Sequence, residues 1–119
     1  MARMRILEET ARLTFSAGGT INKGRFVKAS GSSVVQCDTA GERAIGVALT
    51  DASSGETLSV AVDGVVSVEA GGSVNLGVEV TTDTQGRVIA VSDPSSQKTL
   101  GVSLEAASGA GDFILVKLL

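Results

Sequence analysis

Two stretches of the chain follow the same order of residue types. Residues 44–60 read AIGVALTDASSGETLSV, and residues 99–116 read TLGVSLEAASGAGDFILV. Each begins with a Gly-Val run, passes through a turn rich in Ala, Ser and Gly, and closes with alternating apolar residues. The alignment extends to further apolar pairs: Ile21 with Val74, Val27 with Val80, Leu58 with Ile114, and Val60 with Val116. A solenoid usually needs at least three repeats, so two copies, about 21–62 and 74–118, predict one β-domain built from two similar halves.

The rest of the chain favours short strands joined by tight turns. Its 119 residues are 43% hydrophobic and include 15 glycines and one proline, a composition typical of β-branched runs separated by turns. Ten strands are predicted, at 12–15, 25–29, 33–37, 44–50, 57–62, 65–69, 78–82, 87–91, 99–104 and 112–118. Strands at this spacing predict a small all-β barrel or sandwich that forms a single domain.

Asp63-Gly64, between two of these strands, has two interpretations. It is either a two-residue hairpin turn or a bulge in one long strand that bends across two sheets. We favour the bulge, because the AGGS stretch at 70–73 offers a wider corner nearby.

The first fifteen residues, MARMRILEETARLTF, lie outside the repeat and carry much of the positive charge. Residues 1–28 have a net charge of +4 and residues 29–119 a net charge of −7, which together give the −3 of the chain. This segment is either a frayed terminus that leads into a first strand or an arm that orders on a partner. We therefore divide the chain into an extended N-terminal arm, 1–15, and a β-domain, 16–119.

Few residues suggest chemistry. The chain has no histidine, which excludes the usual nucleophilic triads and most zinc sites. Cys37 is predicted to be a buried, inert thiol, Lys98 a solvated turn residue rather than a carrier lysine, and the following to be turn formers: Asp38, Asp51, Asp63, Asp83, Asp93 and Asp112. We predict that the protein is not an enzyme and has no cofactor or metal. Few basic residues and no aromatic platform argue against nucleic acid, and no apolar run of about 20 residues suggests a membrane span.

Three stretches carry a resemblance to a known family. They read AIGVALTDASSGETLSVAVDGVVSVEAGGSV at 44–74, GVEVTTDTQGRVIAV at 77–91 and TLGVSLEAASGAGDFILVKLL at 99–119. In their order and spacing they resemble the small capsid decoration, or cement, proteins of tailed bacteriophages. The resemblance covers about residues 15–119 and implies a β-domain without enzymatic activity.

The resemblance also implies a location and partners. A protein of this kind docks on the outer surface of the virion capsid after synthesis in the cytoplasm of the host bacterium. Its partner is the major capsid protein, which it clamps to neighbouring subunits, often as a homo-oligomer, with a trimer favoured. The arm would reach the shell through a set of basic and apolar residues: Arg3, Arg5, Ile6, Leu7 and Arg12. The alternative is a carbohydrate- or surface-binding β-domain of a phage tail or bacterial surface protein, which the absence of Trp and Tyr disfavours.

Overall fold

The computed structural model describes residues 11–119, which form two five-stranded antiparallel sheets. The first sheet contains β1 (Ala11–Ser16), β2 (Phe26–Ser30), β3 (Ser33–Gln36), β4 (Gly46–Ala48) and β5 (Thr57–Asp63). The second contains β6 (Val65–Glu69), β7 (Glu79–Thr82), β8 (Val88–Ala90), β9 (Gly101–Ser103) and β10 (Phe113–Leu118). The predicted all-β class is confirmed, and each predicted strand is present with ends that differ by at most two residues. Within these residues no helix is long and apolar enough to cross a membrane.

The two sheets have the same strand order. It is β1-β5-β4-β2-β3 in the first and β6-β10-β9-β7-β8 in the second, so each strand of the first sheet corresponds to the strand five places later. A parallel bridge joins the two outer strands of each sheet, Ala17 to Val34 and Ala70 to Val88, so that each sheet curls towards a small barrel. We call residues 11–63 the first half and residues 65–118 the second half. That the halves arose by repetition of one sequence stays a prediction.

Gly64 carries the chain from one sheet to the other. Strand β5 ends at Asp63 and β6 begins at Val65, but the two strands belong to different sheets and do not pair. Gly64 has a φ of +93°, which a residue with a side chain rarely adopts. The hairpin interpretation of Asp63-Gly64 is therefore wrong. The chain passes from one sheet to the other here, as the bulge interpretation predicts, but Gly64 separates two strands where that interpretation placed one long strand.

Each half has an apolar interior of its own. In the first half the inward side chains come from three strands and from the turns that cover them: Val27, Val34, Leu58, Val60, Ala17, Ile21 and Ala52. The corresponding residues of the second half are Val80, Val88, Ile114, Val116, Ala70, Val74 and Ala107. This period-two burial is what a half-buried strand requires.

The first sheet is also buried on its other face. Phe26, Val47 and Ala61 are direct neighbours across β2, β4 and β5, and each is at most 1% exposed. They lie in the same apolar cluster as the interior of the second half. Burial of a large apolar side chain such as Phe26 stabilises a fold by about 1.5–3 kcal/mol. We call this contact between the halves the junction.

Polar contacts fix the junction at its margins. The Phe26 N–H donates to the Gly86 carbonyl at 2.7 Å, and the Gly41 N–H donates to the Thr82 carbonyl at 2.9 Å. Arg25 forms an ion pair with Glu69, with 3.0 Å between Nη2 and Oε1, and its Nη1 donates to the Gln85 carbonyl. Both side chains of this pair are less than 20% exposed, so solvent screens the pair less than a surface pair.

Gly46 and Gly101 occupy corresponding places where two strands approach closely. A Cβ at Gly46 would lie 2.1 Å from the Ala61 carbonyl oxygen, and one at Gly101 would lie 2.4 Å from that of Lys117. These neighbours are backbone atoms in paired strands, so they cannot move aside without disturbing the sheet. The glycine of each Gly-Val run is therefore required by packing.

We expect Gly46→Ala and Gly101→Ala each to lower the free energy of unfolding by about 1–3 kcal/mol, the usual cost of overpacking. Chemical denaturation measures the change. Gly19→Ala and Gly72→Ala are matched controls, because a Cβ at either position meets nothing within 4 Å. The controls should stay within about 0.5 kcal/mol of the wild type. Equal stability of all four variants would contradict the packing argument.

Cys37 is enclosed in the junction, as the predicted inert thiol requires. It is 1% exposed, and its N–H donates to the Phe26 carbonyl at 2.9 Å. Burial, followed by the charge of Glu42, raises the pKa of the Cys37 thiol from 9.0 to about 12. A thiol held in its neutral form is a poor nucleophile.

We expect the Cys37 thiol to react with a disulfide reagent at about pH 8 only as fast as the protein unfolds. The raised pKa of this thiol also makes the free energy of unfolding depend on pH. Its stabilising contribution is fully present below the ordinary pKa of 9.0 and is lost as the pH rises from there towards about 12, because the thiol of the unfolded chain ionises first. Absorbance of the released thiolate follows the reaction, with the denatured protein as control. Fast modification without denaturant would show that the junction opens readily.

Candidate interaction surfaces

Only part of the predicted arm lies within the described residues. Arg3, Arg5, Ile6 and Leu7 lie outside them. Residues 11–15 form most of β1, so the predicted arm boundary at residue 15 falls inside a strand of the first sheet. Arg12 is exposed on this strand and lies opposite Ala61, next to a shift in register after Ala11.

Strand β1 is an exposed edge of the first sheet. It pairs with β5 along one side. On its other side, in the part of the chain that the structure describes, backbone pairing to β3 is confined to the end at Ala17, where the Gly18 N–H donates to the Val34 carbonyl at 2.8 Å. Residues 11–14 are exposed, and Leu13 is 56% exposed. An edge with open backbone groups and an exposed leucine can accept another strand or an apolar surface.

A second exposed apolar surface follows β10. Phe113, Leu115 and Lys117 point outwards, while the residues between them are buried. Leu104 extends this surface, because its N–H donates to the Leu115 carbonyl at 2.8 Å. Phe113 and Leu115 are 48% and 39% exposed. The positions form a stripe of large apolar side chains on the outer face of the second half.

The Phe113 ring also lines an open pocket between the halves. It covers Gly24, where a Cβ would lie 2.6 Å from the ring atom Cε2. The pocket has a volume of about 360 Å³, with walls that include Leu49, Val66 and Lys23. The pocket is thus mainly apolar, with one lysine at its margin.

Ion pairs elsewhere on the surface hold turns in place. The Lys28 ammonium lies 2.6 Å from Asp38 and 2.9 Å from Glu42. Hydrogen bonds to Asp38 and then Glu42 raise the pKa of Lys28, and the bond from Lys28 lowers the pKa of Asp38. Burial acts to raise the pKa of Glu42, but the bonds from Lys28 and from the Thr39 and Asp38 backbone outweigh it, so this pKa is lowered. The single positive charge of Lys28 is thus shared by two carboxylates.

Acidic side chains in the turns accept local hydrogen bonds, as predicted for turn formers. Asp83 accepts from the Gln85 and Arg87 N–H groups at 2.8 Å each. Asp93 accepts from the Ser95 and Ser96 hydroxyls, which lower its pKa. In the described residues no three His, Cys, Asp or Glu side chains are grouped to hold a metal ion. The carboxylates therefore organise turns.

The exposed leucines of the β-domain were not predicted as interaction residues. A signal for one of them was present, since the alignment of Gly24 with Gly77 places Leu76 opposite Lys23. Leu76 is 65% exposed, so the two halves differ here by an exposed leucine in place of a lysine.

The described strands and surfaces can be compared with known proteins. A crystal structure of the head fiber gp8.5 N base of bacteriophage phi29 superposes with a TM-score of 0.72 and 19% sequence identity over 93% of this chain and 95% of that chain. At this identity the likeness establishes a shared fold. No curated protein matches the sequence. A sequence model described as phage cement protein matches residues 7–118, which includes all ten strands. The chain therefore belongs to the phage cement protein family.

Proposed function

We propose that this protein binds the outer surface of a phage head and stabilises the capsid by clamping neighbouring major capsid subunits together. The observation that carries the proposal is the match of the cement family to residues 7–118, nearly the whole chain. Membership in that family supports a structural protein of the phage head. The clamping action is the further step that we propose.

The fold suits a clamp because it is stiff. The two halves share an apolar cluster, and the Arg25–Glu69 ion pair and backbone hydrogen bonds fix its margins. When a rigid protein binds two capsid subunits, its binding free energy adds to the work needed to separate them. Each contact can be weak, because binding to the assembled shell stabilises it by mass action at every equivalent site.

We assign the capsid contacts to the N-terminal residues. Arg3, Arg5, Ile6 and Leu7 lie a few residues before β1 in the sequence, and Arg12 and Leu13 on β1 are exposed. Two apolar side chains with nearby arginines fit a shell surface that presents an apolar groove next to carboxylates. We also propose that the protein acts as a homo-oligomer, with a trimer favoured, since several linked copies raise the effective concentration of each arm.

Co-sedimentation with heads tests the function. Purified protein is mixed with mature heads of the phage that lack decoration, and with immature heads as a control. We expect saturable binding to mature heads at a fixed ratio to the capsid subunit, and decorated heads should retain their DNA at higher temperature than bare heads. An absence of binding to either shell would overturn the proposal.

Paired variants test the assignment of the contacts. We expect Arg3→Ala combined with Arg5→Ala to weaken binding to heads roughly tenfold or more, which corresponds to about 1.4 kcal/mol. Arg43→Ala combined with Lys98→Ala is the matched control, because it removes the same charge from exposed positions of the β-domain. A titration of heads with each variant measures the affinity. Equal loss in both double variants would show that net charge, rather than the N-terminal position, determines binding.

A further inference from the structure

The junction buries one edge of the second half beneath a turn of the first. The Gly24 carbonyl accepts a hydrogen bond from the Glu69 N–H of β6 at 2.9 Å. The Phe113 ring lies on Gly24, and Leu49 packs against the same apolar cluster that contains Val66. As a result Val66, on the edge strand β6, is only 6% exposed.

The second half carries corresponding elements, and within residues 11–119 they leave large apolar side chains exposed. The Gly77 N–H donates to Ser103 at 2.8 Å, as the Gly24 N–H donates to Ala48, and both glycines have a φ near +80°. Leu76 therefore corresponds to Lys23. Leu104 corresponds to Leu49, because their N–H groups donate to matching positions of β10 and β5. Leu76 and Leu104 are 65% and 40% exposed.

The first half carries the matching edge. Leu13 lies opposite Val60 on β5, and Val66 lies opposite Val116 on β10, so Leu13 corresponds to Val66. It is 56% exposed, whereas Val66 is buried. Leu13 therefore occupies the position that Val66 has in the junction, and Leu76 and Leu104 occupy the positions of Lys23 and Leu49 on the opposite side of that contact. All three are among the most exposed leucines in the described chain.

We propose that copies of this protein associate head to tail, with Leu76 and Leu104 of one copy packed against Leu13 and the β1 edge of the next. The occupant is a second copy because the same chain already joins these elements in the junction. The contact is heterologous, since it uses two different surfaces. It supplies an interface for the homo-oligomer proposed above and requires no capsid.

The contact between copies is smaller than the junction. Glu79 and Lys117 stand in the second half where Phe26 and Ala61 stand in the first, and both are exposed. The positions that correspond to Arg25 and Glu69 are held by Val78 and Ser16, which carry no charge. The contact between copies therefore lacks the ion pair of the junction. The contact is therefore confined to the leucines and the strand edge, and we expect reversible association in solution that becomes stronger when several copies sit on one shell.

Sedimentation velocity of the full chain without heads tests the proposal. The samples are the wild type, Leu76→Asp, Leu13→Asp and an equimolar mixture of the two variants. We expect the wild type to associate as its concentration rises and each variant to stay monomeric. The mixture should form a dimer and nothing larger, because each variant retains the surface that the other has lost. Leu119→Asp is the matched control, since Leu119 is exposed but takes no part in the contact.

Several outcomes would overturn the proposal. A wild type that stays monomeric at every concentration would exclude the contact, and a mixture that stays monomeric would exclude the head-to-tail arrangement. Circular dichroism verifies that each variant folds, and Leu13→Thr serves as a second variant on β1 because threonine favours strands. Variants that associate normally but fail to bind heads would assign these leucines to the capsid instead. Loss of association with normal binding of heads would support the contact between copies but overturn the proposal that the homo-oligomer strengthens binding to the capsid.

Discussion

The packing of Phe26, Val47 and Ala61 against the interior of the second half determines how the molecule is arranged. The three residues share one face of the first sheet, and the other face of the same strands encloses the interior of the first half. The central strands β2, β4 and β5 of the first sheet are therefore buried on both faces. The outer face of the first half packs on the second half, whereas the outer face of the second half does not pack on the first. The edge of β6 is therefore covered, and the edge of β1 is exposed.

Two of these three positions carry charged residues in the second half, so its outer face does not offer the same apolar packing surface. Where the first half has Phe26, Val47 and Ala61, the second has Glu79, Val102 and Lys117, and both charged residues are exposed. A third unit could not pack on that face without desolvating the two charges. Arrays of similar units commonly end on a unit with a polar outer face, for the same reason. Here the polar face coexists with exposed Leu76 and Leu104, so any contact made by the second half is limited to its margin.

Local signals were sufficient to predict the strands but not which faces they bury. Leu58 and Val60 alternate with the polar Thr57 and Ser59, and residues typical of turns separate the apolar runs, so the ten strands follow from the sequence. The burial of the second face of β5 was not predicted. A signal was present, because Val60, Ala61 and Val62 form a continuous apolar run where the second half reads Val116, Lys117 and Leu118. Continuous runs indicate a strand covered on both faces, and the difference between the halves was the available signal.

The placement of β1 shows why an edge strand is difficult to distinguish from an arm. Its residues ARLTF alternate as a strand does, but their pairing partner is β5, more than forty positions later in the sequence. Only one side of the strand is paired, so exposed and buried residues do not alternate clearly; Leu13, which points the same way as the buried Val66 of the other half, is largely exposed. Residues 12–15 were predicted as a strand, but pairing on one side only left open whether this strand belongs to the arm or to the β-domain. The same one-sided pairing makes β1 available to a partner. Folding has already ordered the open backbone groups and the apolar side chain on β1. Binding a partner there therefore costs less conformational entropy than ordering a flexible segment would.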